Sequence, residues 1–235
     1  MTEAPASGNH LPADTPEAGA GFDALVLAGG RGTRLGGADK AALTLHGQRL
    51  VDRVITAARS AGANQVVVIG PPHAGTDADR VVREEPAYGG PLAALAAGIR
   101  AVDSEWVMVL ACDLQHPLAV ATALRTASGM ELGDGALLED AEGHLQWLAG
   151  YYRTAAITAA CKRLGDEVAN APLRRVLGEL ELHRIPVGER LSDDIDTPQA
   201  LAAARQSTKP VEPDDARGPG QPGAGRQVSA PPTSN

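Results

Sequence analysis

Cysteine is nearly absent: the 235-residue chain has two, Cys112 and Cys161. That is too few for a disulfide framework or a structural zinc site. Positive charge is also in short supply, with 21 Lys and Arg against 29 Asp and Glu and a formal net charge of −8. A general nucleic-acid binder would show a basic face, so that class is set aside. No apolar run approaches membrane-spanning length, and the first residues lack a cationic start followed by an apolar stretch. The expectation is a cytoplasmic protein with no signal peptide, no membrane contact and no nucleic-acid partner.

Stock catalytic signatures are missing too. There is no G-x-S-x-G. His46, His73, His116, His144 and His183 are scattered without metal-ligand spacing, and His10 lies near the start. Cys112 sits inside an apolar segment, where a small buried hydrophobe is expected rather than a nucleophile. A dinucleotide fingerprint fails because Gly30-Arg31-Gly32-Thr33-Arg34 is followed by Leu35, and no Gly-Lys-Ser or Gly-Lys-Thr exists to make a P-loop.

What is present is concentrated at residues 24–40. An apolar run, 24–28 (ALVLA), feeds a loop holding Gly29, Gly30, Gly32, Gly36 and Gly37 together with Arg31, Arg34 and Lys40. Glycines let backbone N–H groups approach a ligand closely, and cations among them suit a polyphosphate. The spacing is L-A-G-G-x-x-x-R-x-G-x-x-x-K directly after a predicted strand. The implied ligand is a nucleoside triphosphate.

Residues 1–20 and 206–235 are rich in Pro, Gly, Ala and small polar residues without apolar periodicity, and they read as disordered tails around one domain at 21–205. Within the domain, predicted strands alternate with predicted helices. Strands are expected at 24–28, 65–69, 79–84 and 106–112, the last the most hydrophobic and therefore central. Helices are expected at 50–60, 92–102 behind Pro91, and from 117 to 126. The second half is less regular: a pair of strands at 135–138 and 145–152, helices at 154–164 and 172–180, a late strand at 182–187 and a closing helix at 198–205. This order implies an α/β fold with a mostly parallel sheet, right-handed crossovers and helices on both faces.

Ligands of such sheets sit beyond the carboxyl ends of the strands. Three features fall there. Asp113 ends the 106–112 segment, where it suits Mg²⁺ or, as readily, a helix N-cap. Glu84-Glu85 precedes Tyr88-Gly89-Gly90-Pro91, either a base or ribose contact or a turn. Asp193, Asp194 and Asp196 invite metal or substrate roles, while Asp196 or Thr197 could instead cap the last helix. Trp147, Tyr151 and Tyr152 are candidates for a pocket wall or for the core.

Together these motifs resemble the nucleotidyltransferase family that includes molybdenum cofactor guanylyltransferase. The match runs over about residues 22–205: L-A-G-G with Arg34, Gly36 and Asp39-Lys40; Gly90-Pro91-Leu92-Ala93; Leu110-Ala111-Cys112-Asp113; and Asp194-Ile195-Asp196-Thr197-Pro198. The resemblance implies a three-layer α/β/α, Rossmann-like nucleotidyltransferase fold. It places Leu27, Ala28, Gly29 and Gly30 against guanine and the nucleotide backbone, Arg34 and Lys40 on phosphates, Glu85 on GTP, and Mg²⁺ on Asp113 with Asp196. Three departures stand out: Glu85 replaces an aspartate, Gln115 stands where the family usually has proline, and Asp194 and Asp196 replace more usual asparagines.

The implied reaction moves GMP from GTP to the terminal phosphate of molybdopterin with loss of pyrophosphate, in contact with other molybdenum cofactor proteins. A phosphate monoester needs no general base, which agrees with finding cations and carboxylates but no nucleophile–histidine pair. Alternatives stay open: a CTP-dependent molybdopterin or sugar-phosphate transferase of the same fold, or a nucleotide-binding regulator without catalysis.

Overall fold

The computed structural model describes residues 21–29, 39–75, 77–85, 87–188, 191 and 193–207. Gly30, Arg34 and the rest of loop 30–38 lie outside the described residues, as do the predicted tails apart from Gln206 and Ser207.

The first strand, β1 (Phe22–Leu27), is buried along its whole length, so both of its faces must be covered. Phe22, Ala24 and Val26 face a core shared with α1 (Leu50–Ser60), while Leu25 and Leu27 face the opposite core. A two-residue-per-strand hairpin, β2 (Thr44–Leu45) and β3 (Gln48–Arg49), precedes α1. The hairpin was not foreseen, because two-residue strands show no alternation. Its turn is nevertheless written in His46 (φ 51°) and Gly47 (φ 81°), both in the left-handed region that two-residue hairpin loops require.

After α1 come β4 (Val66–Ile69), β5 (Arg80–Val82), α2 (Pro91–Gly98), β6 (Trp106–Ala111) and α3 (Pro117–Ala127). The predicted helix 92–102 splits, since a 3-10 turn replaces the α-helix at Ile99–Ala101. Gly98 at that junction lies so close to β4 that a Cβ would come within 2.7 Å of Ile69 Cγ1. The remaining elements are β7 (Gly135–Glu139), β8 (Leu145–Arg153), α4 (Thr154–Leu164), α5 (Arg174–Leu177), β9 (Leu182–Pro186) and α6 (Pro198–Gln206). The helix expected at 172–180 is a single turn, confined between Pro172 and Gly178.

The seven-stranded sheet has the order β5–β4–β1–β6–β8–β7–β9. β5, β4, β1 and β6 are mutually parallel, β8 is antiparallel to β6 and β7, and β9 is parallel to β7. The fold is α/β with a mostly parallel central sheet, and β6 stands in the middle as its hydrophobicity requires. α1 and α3 cover one face, α2 and α4 the other. Tyr151 stacks on Trp106 at 5.1 Å between ring centroids, and fully buried Tyr152 donates its hydroxyl to the Trp147 carbonyl at 2.9 Å, so both tyrosines belong to the core. Among the described residues no helix is long and apolar enough to cross a membrane.

The amino end of the sheet is closed by one buried carboxylate. Asp23, on β1, accepts from Gln65 Nε2 (2.8 Å), the Asp103 and Ser104 amides (2.9 and 3.1 Å) and Ser104 Oγ (2.8 Å). Burial opposes its ionisation, but the hydrogen bonds from Gln65, Asp103 and Ser104 outweigh burial and hold the carboxyl below its ordinary value. A depressed folded pKa adds stability that is complete above the unfolded value, about 3.9, and is lost as pH falls through the folded one. Asp23→Ala is therefore expected to cost about 3 kcal/mol at pH 7, since several buried donors lose their acceptor. That corresponds to a melting temperature lower by roughly 6–12 °C. Melts at pH 7 and pH 3 check this: the gap between variant and wild type should narrow at pH 3, and an equal gap at both would contradict it.

Candidate active site

At the carboxyl edge of the sheet β1, β4 and β6 end level, with Leu27 opposite both Ile69 and Ala111. The ladder continues slightly beyond them, through Ala28 N–H to Ile69 O (2.8 Å) and Cys112 N–H to Leu27 O (3.1 Å). The chain runs from β1 outward to β4 and β5, then returns to the other side of β1 as β6. Strand order therefore reverses between β1 and β6, which is where a crevice opens in sheets of this kind. A cleft of about 320 Å³ lies there, lined by residues from the ends of β1 and β6 (Leu27, Gly29, Ala111 and Asp113) and by Glu84 and Gly90 of the loop before α2.

Lys40 and Asp113, 73 residues apart in sequence, form an ion pair inside this cleft, Nζ to Oδ2. Partial burial opposes the Lys40 charge, but Asp113 more than offsets it and raises the ammonium pKa. Lys40 opens a 3-10 turn (Lys40–Ala42) whose first free amide, Ala41 N–H, is capped by Asp39 Oδ1 at 3.0 Å. Cys112, next to Asp113, is 3% exposed, and burial drives its thiol far above the ordinary range, which excludes it as a nucleophile.

Backbone pairing brings the late acidic segment to the same place. Gln115 N–H donates to Asp193 O (3.0 Å), Ile195 N–H donates to Asp113 O (2.8 Å), and Leu114 and Asp194 form the bridge between them. The departure at Gln115 thus has a structural counterpart: proline could not make the bond to Asp193. Asp194 faces solvent in part, yet its carboxyl is pushed up to about 7, first by loss of hydration and then by the Asp113 charge, with Lys40 pulling it down. The bridge from Leu114 to Asp194 brings the backbone of Asp194 alongside the residue that follows Asp113. Thr197 caps α6, its Oγ1 accepting from Ala200 N–H at 3.1 Å, which settles the capping alternative in favour of Thr197 over Asp196.

The loop before α2 divides the two glutamates. Glu84 is buried in the cleft wall and its Oε1 accepts from Tyr88 N–H at 3.0 Å, whereas Glu85 is exposed and is not part of the lining. Of the two glutamates, Glu84 lines the cleft, while Glu85, the one singled out from the sequence, faces solvent. Tyr88 holds a left-handed φ of 63°, and Gly90, at φ 88°, starts α2 without a side-chain cap while Asn170 N–H donates to Gly89 O at 2.6 Å. Pattern reading missed Leu148 as a wall residue, since it belongs to no motif, and it picked out the segment of Tyr88 without singling out that side chain. Ala28 is 3% exposed and lies behind the lining rather than in it, and Trp147 packs into the core beneath α2 and α4.

Among the described residues no group of three or more His, Cys, Asp or Glu side chains converges, so none forms an all-protein metal cage. Asp113 with Asp194 supplies one or two hard carboxylates. That donor set fits Mg²⁺, which takes its remaining ligands from phosphate and water.

Residues 24–185 match the family described as MobA-like NTP transferase domain. A curated molybdenum cofactor guanylyltransferase of Pseudomonas putida is 41% identical over 92 residues, covering 38% of this chain and 48% of that protein. A protein of the same name from Polynucleobacter asymbioticus is 31% identical over 115 residues, 46% of this chain and 56% of its own length. The chain thus spans about half the length of the curated relatives it matches. Among solved structures, a nucleotidyl transferase from Methanothermobacter thermautotroptrophicus superposes with a TM-score of 0.62 at 22% identity, covering 80% of this chain and 97% of that one. At that identity the likeness is one of fold.

The stitch between the strand end and the acidic segment is testable. Gln115→Pro removes one backbone hydrogen bond, worth about 1 kcal/mol, and should lower the melting temperature by roughly 2–4 °C. Amide exchange at Ile195 should quicken in the same variant. Unchanged exchange would mean that the Asp193 contact does not hold the segment in place.

Proposed function

The chain belongs to the MobA-like NTP transferase family, and from that premise we propose that it transfers GMP from GTP to the terminal phosphate of molybdopterin. Pyrophosphate leaves, and the product is the guanine dinucleotide form of the molybdenum cofactor. One observation carries this reading: the glycine-loop lysine and the strand-end aspartate meet in a cleft at the switch in strand order. The names of the curated relatives support the choice of substrates.

In the reaction a terminal phosphate oxygen of molybdopterin attacks the α-phosphorus in line. A new P–O bond forms as the bond to the β-phosphate oxygen breaks, and the electron pair departs with pyrophosphate. The protein's task is to keep two polyanions together. In the free protein Lys40 and Asp113 neutralise each other. A triphosphate entering the cleft competes for the ammonium, and Lys40 turning to the phosphates frees the Asp113 carboxylate. Asp113, with Asp194 beside it and Asp196 two residues on, would hold Mg²⁺, whose charge would stabilise the leaving pyrophosphate. Arg34, outside the described residues, is assigned to phosphate on the motif alone. Leu27 and Gly29, backed by Ala28 and followed by Gly30, are assigned to the guanine side. Glu84 accepts a hydrogen bond from the nucleotide in the role first given to Glu85.

A second reading, CTP in place of GTP, is favoured by the aspartates at 194 and 196. Calorimetric titration decides between them: GTP should bind at least tenfold more tightly than CTP, about 1.4 kcal/mol, and the reverse order would replace guanine by cytosine. With molybdopterin present, pyrophosphate release should follow the same preference. Asp113→Asn should keep its melting temperature within a few degrees and lose turnover by about 10²–10³. Retained Mg²⁺-dependent turnover would remove Asp113 from the metal role. Glu84→Gln is expected to weaken GTP binding about tenfold, as for a lost charge-assisted hydrogen bond, while Glu85→Gln should stay within about twofold of wild type. Equal effects, or the opposite order, would return the contact to Glu85.

A further inference from the structure

Lys40 is held by a very short element. Its 3-10 turn has three residues, and the hydrogen bonds of such a turn are poorer in geometry than those of an α-helix. It also follows an aspartate, and the Asp39 carboxylate is the nearest anion in sequence that the Lys40 ammonium could fold back upon. Such a local pair would draw Nζ away from the cleft.

The structure shows Asp39 engaged elsewhere. Oδ1 accepts from Ala41 N–H at 3.0 Å, and Oδ2 is hydrogen-bonded to His73 Nε2. His73 comes from a separate 3-10 turn, Pro72–Gly75, which follows β4. That turn is tied down in its own right: the His73 carbonyl accepts from Arg49 Nη1 at 2.9 Å, and Arg49 grips Asp52 of α1 through two bonds of 2.7 Å. Three segments that are remote in sequence (39–42, 49–52 and 72–75) are thereby stitched together behind Lys40.

We infer that His73 is a positioning residue for Lys40: by engaging Asp39 it fixes the turn and leaves the ammonium free to reach Asp113 and an incoming phosphate. His73 does not line the cleft and touches none of the reacting groups. Its effect passes through the Asp39 carboxylate, which it keeps turned toward the 72–75 segment. This inference rests on the proposed reading of Lys40 as the phosphate-binding lysine.

The test is a double-mutant cycle on the full chain, with magnesium GTP as the probe and affinity read by calorimetry. Lys40→Ala should weaken GTP binding, and failure to do so would overturn both the proposed role of Lys40 and this inference. With that established, His73→Ala should weaken GTP binding five- to tenfold with little change in melting temperature. GMP, which lacks the β- and γ-phosphates, should lose less than twofold. His73→Gln, which keeps an N–H donor, should recover most of the affinity. In the Lys40→Ala background His73→Ala should cost nothing further, because the group it positions is gone. Wild-type GTP affinity in His73→Ala, or a loss that adds fully to that of Lys40→Ala, would overturn the inference while leaving the role of Lys40 standing.

Discussion

Parallel pairing of β1 with β4 on one side and β6 on the other is the constraint from which the site follows. Three strands running the same way must end at the same edge, and the register makes them end level. The chain leaves β1 on one side and returns for β6 on the other, so strand order reverses between their ends. The described residues after β1 and after β6 meet there, among them the 39–42 turn and residues 112–113. In this protein those segments carry Lys40 and Asp113, and the ion pair between them is a consequence of strand order rather than of any local motif.

The two edges of the sheet treat charge in opposite ways. At the amino edge Asp23 is 1% exposed and surrounded by donors from β1's neighbours, a fully satisfied carboxylate that stabilises the fold. At the carboxyl edge the carboxylates of Asp113 and Asp194 crowd one another, and Asp194 is held up to about 7. Tyr88 keeps an unfavourable backbone conformation beside them. Perturbed carboxylates and a left-handed backbone thus gather at the end that holds the cleft, and not at the end closed by Asp23.

The antiparallel intrusion of β8 separates the two halves of the sheet. It seals β6 on the side away from β1 and sends Leu148 to the cleft wall. The closing segment then returns to the end of β6, where the pairing of residues 113–115 with 193–195 fixes the acidic run beside Asp113. Gln115 takes part through its backbone amide. Gln115 and the aspartates at 193 and 194 therefore lie in two segments that touch.

Much of the layout was legible in the chain itself. Apolar periodicity and Pro and Gly punctuation located α1 and α4 without error and β6 to within a residue, because long buried elements impose their period on the sequence. The β2–β3 hairpin was too short to show a period, and α5 was cut short between Pro172 and Gly178. At the cleft, the glycine-rich loop and the strand-end aspartate singled out Lys40 and Asp113, which the structure brings together as an ion pair. That Glu84 rather than Glu85 lines the cleft, that Asp194 pairs through its backbone with Leu114, and that Thr197 caps α6 belonged to the tertiary structure. Composition and spacing determine which chemistry a segment can offer. Which of two adjacent like residues faces the cleft depends on backbone direction at the end of a strand, and that is set by contacts with segments far away in sequence.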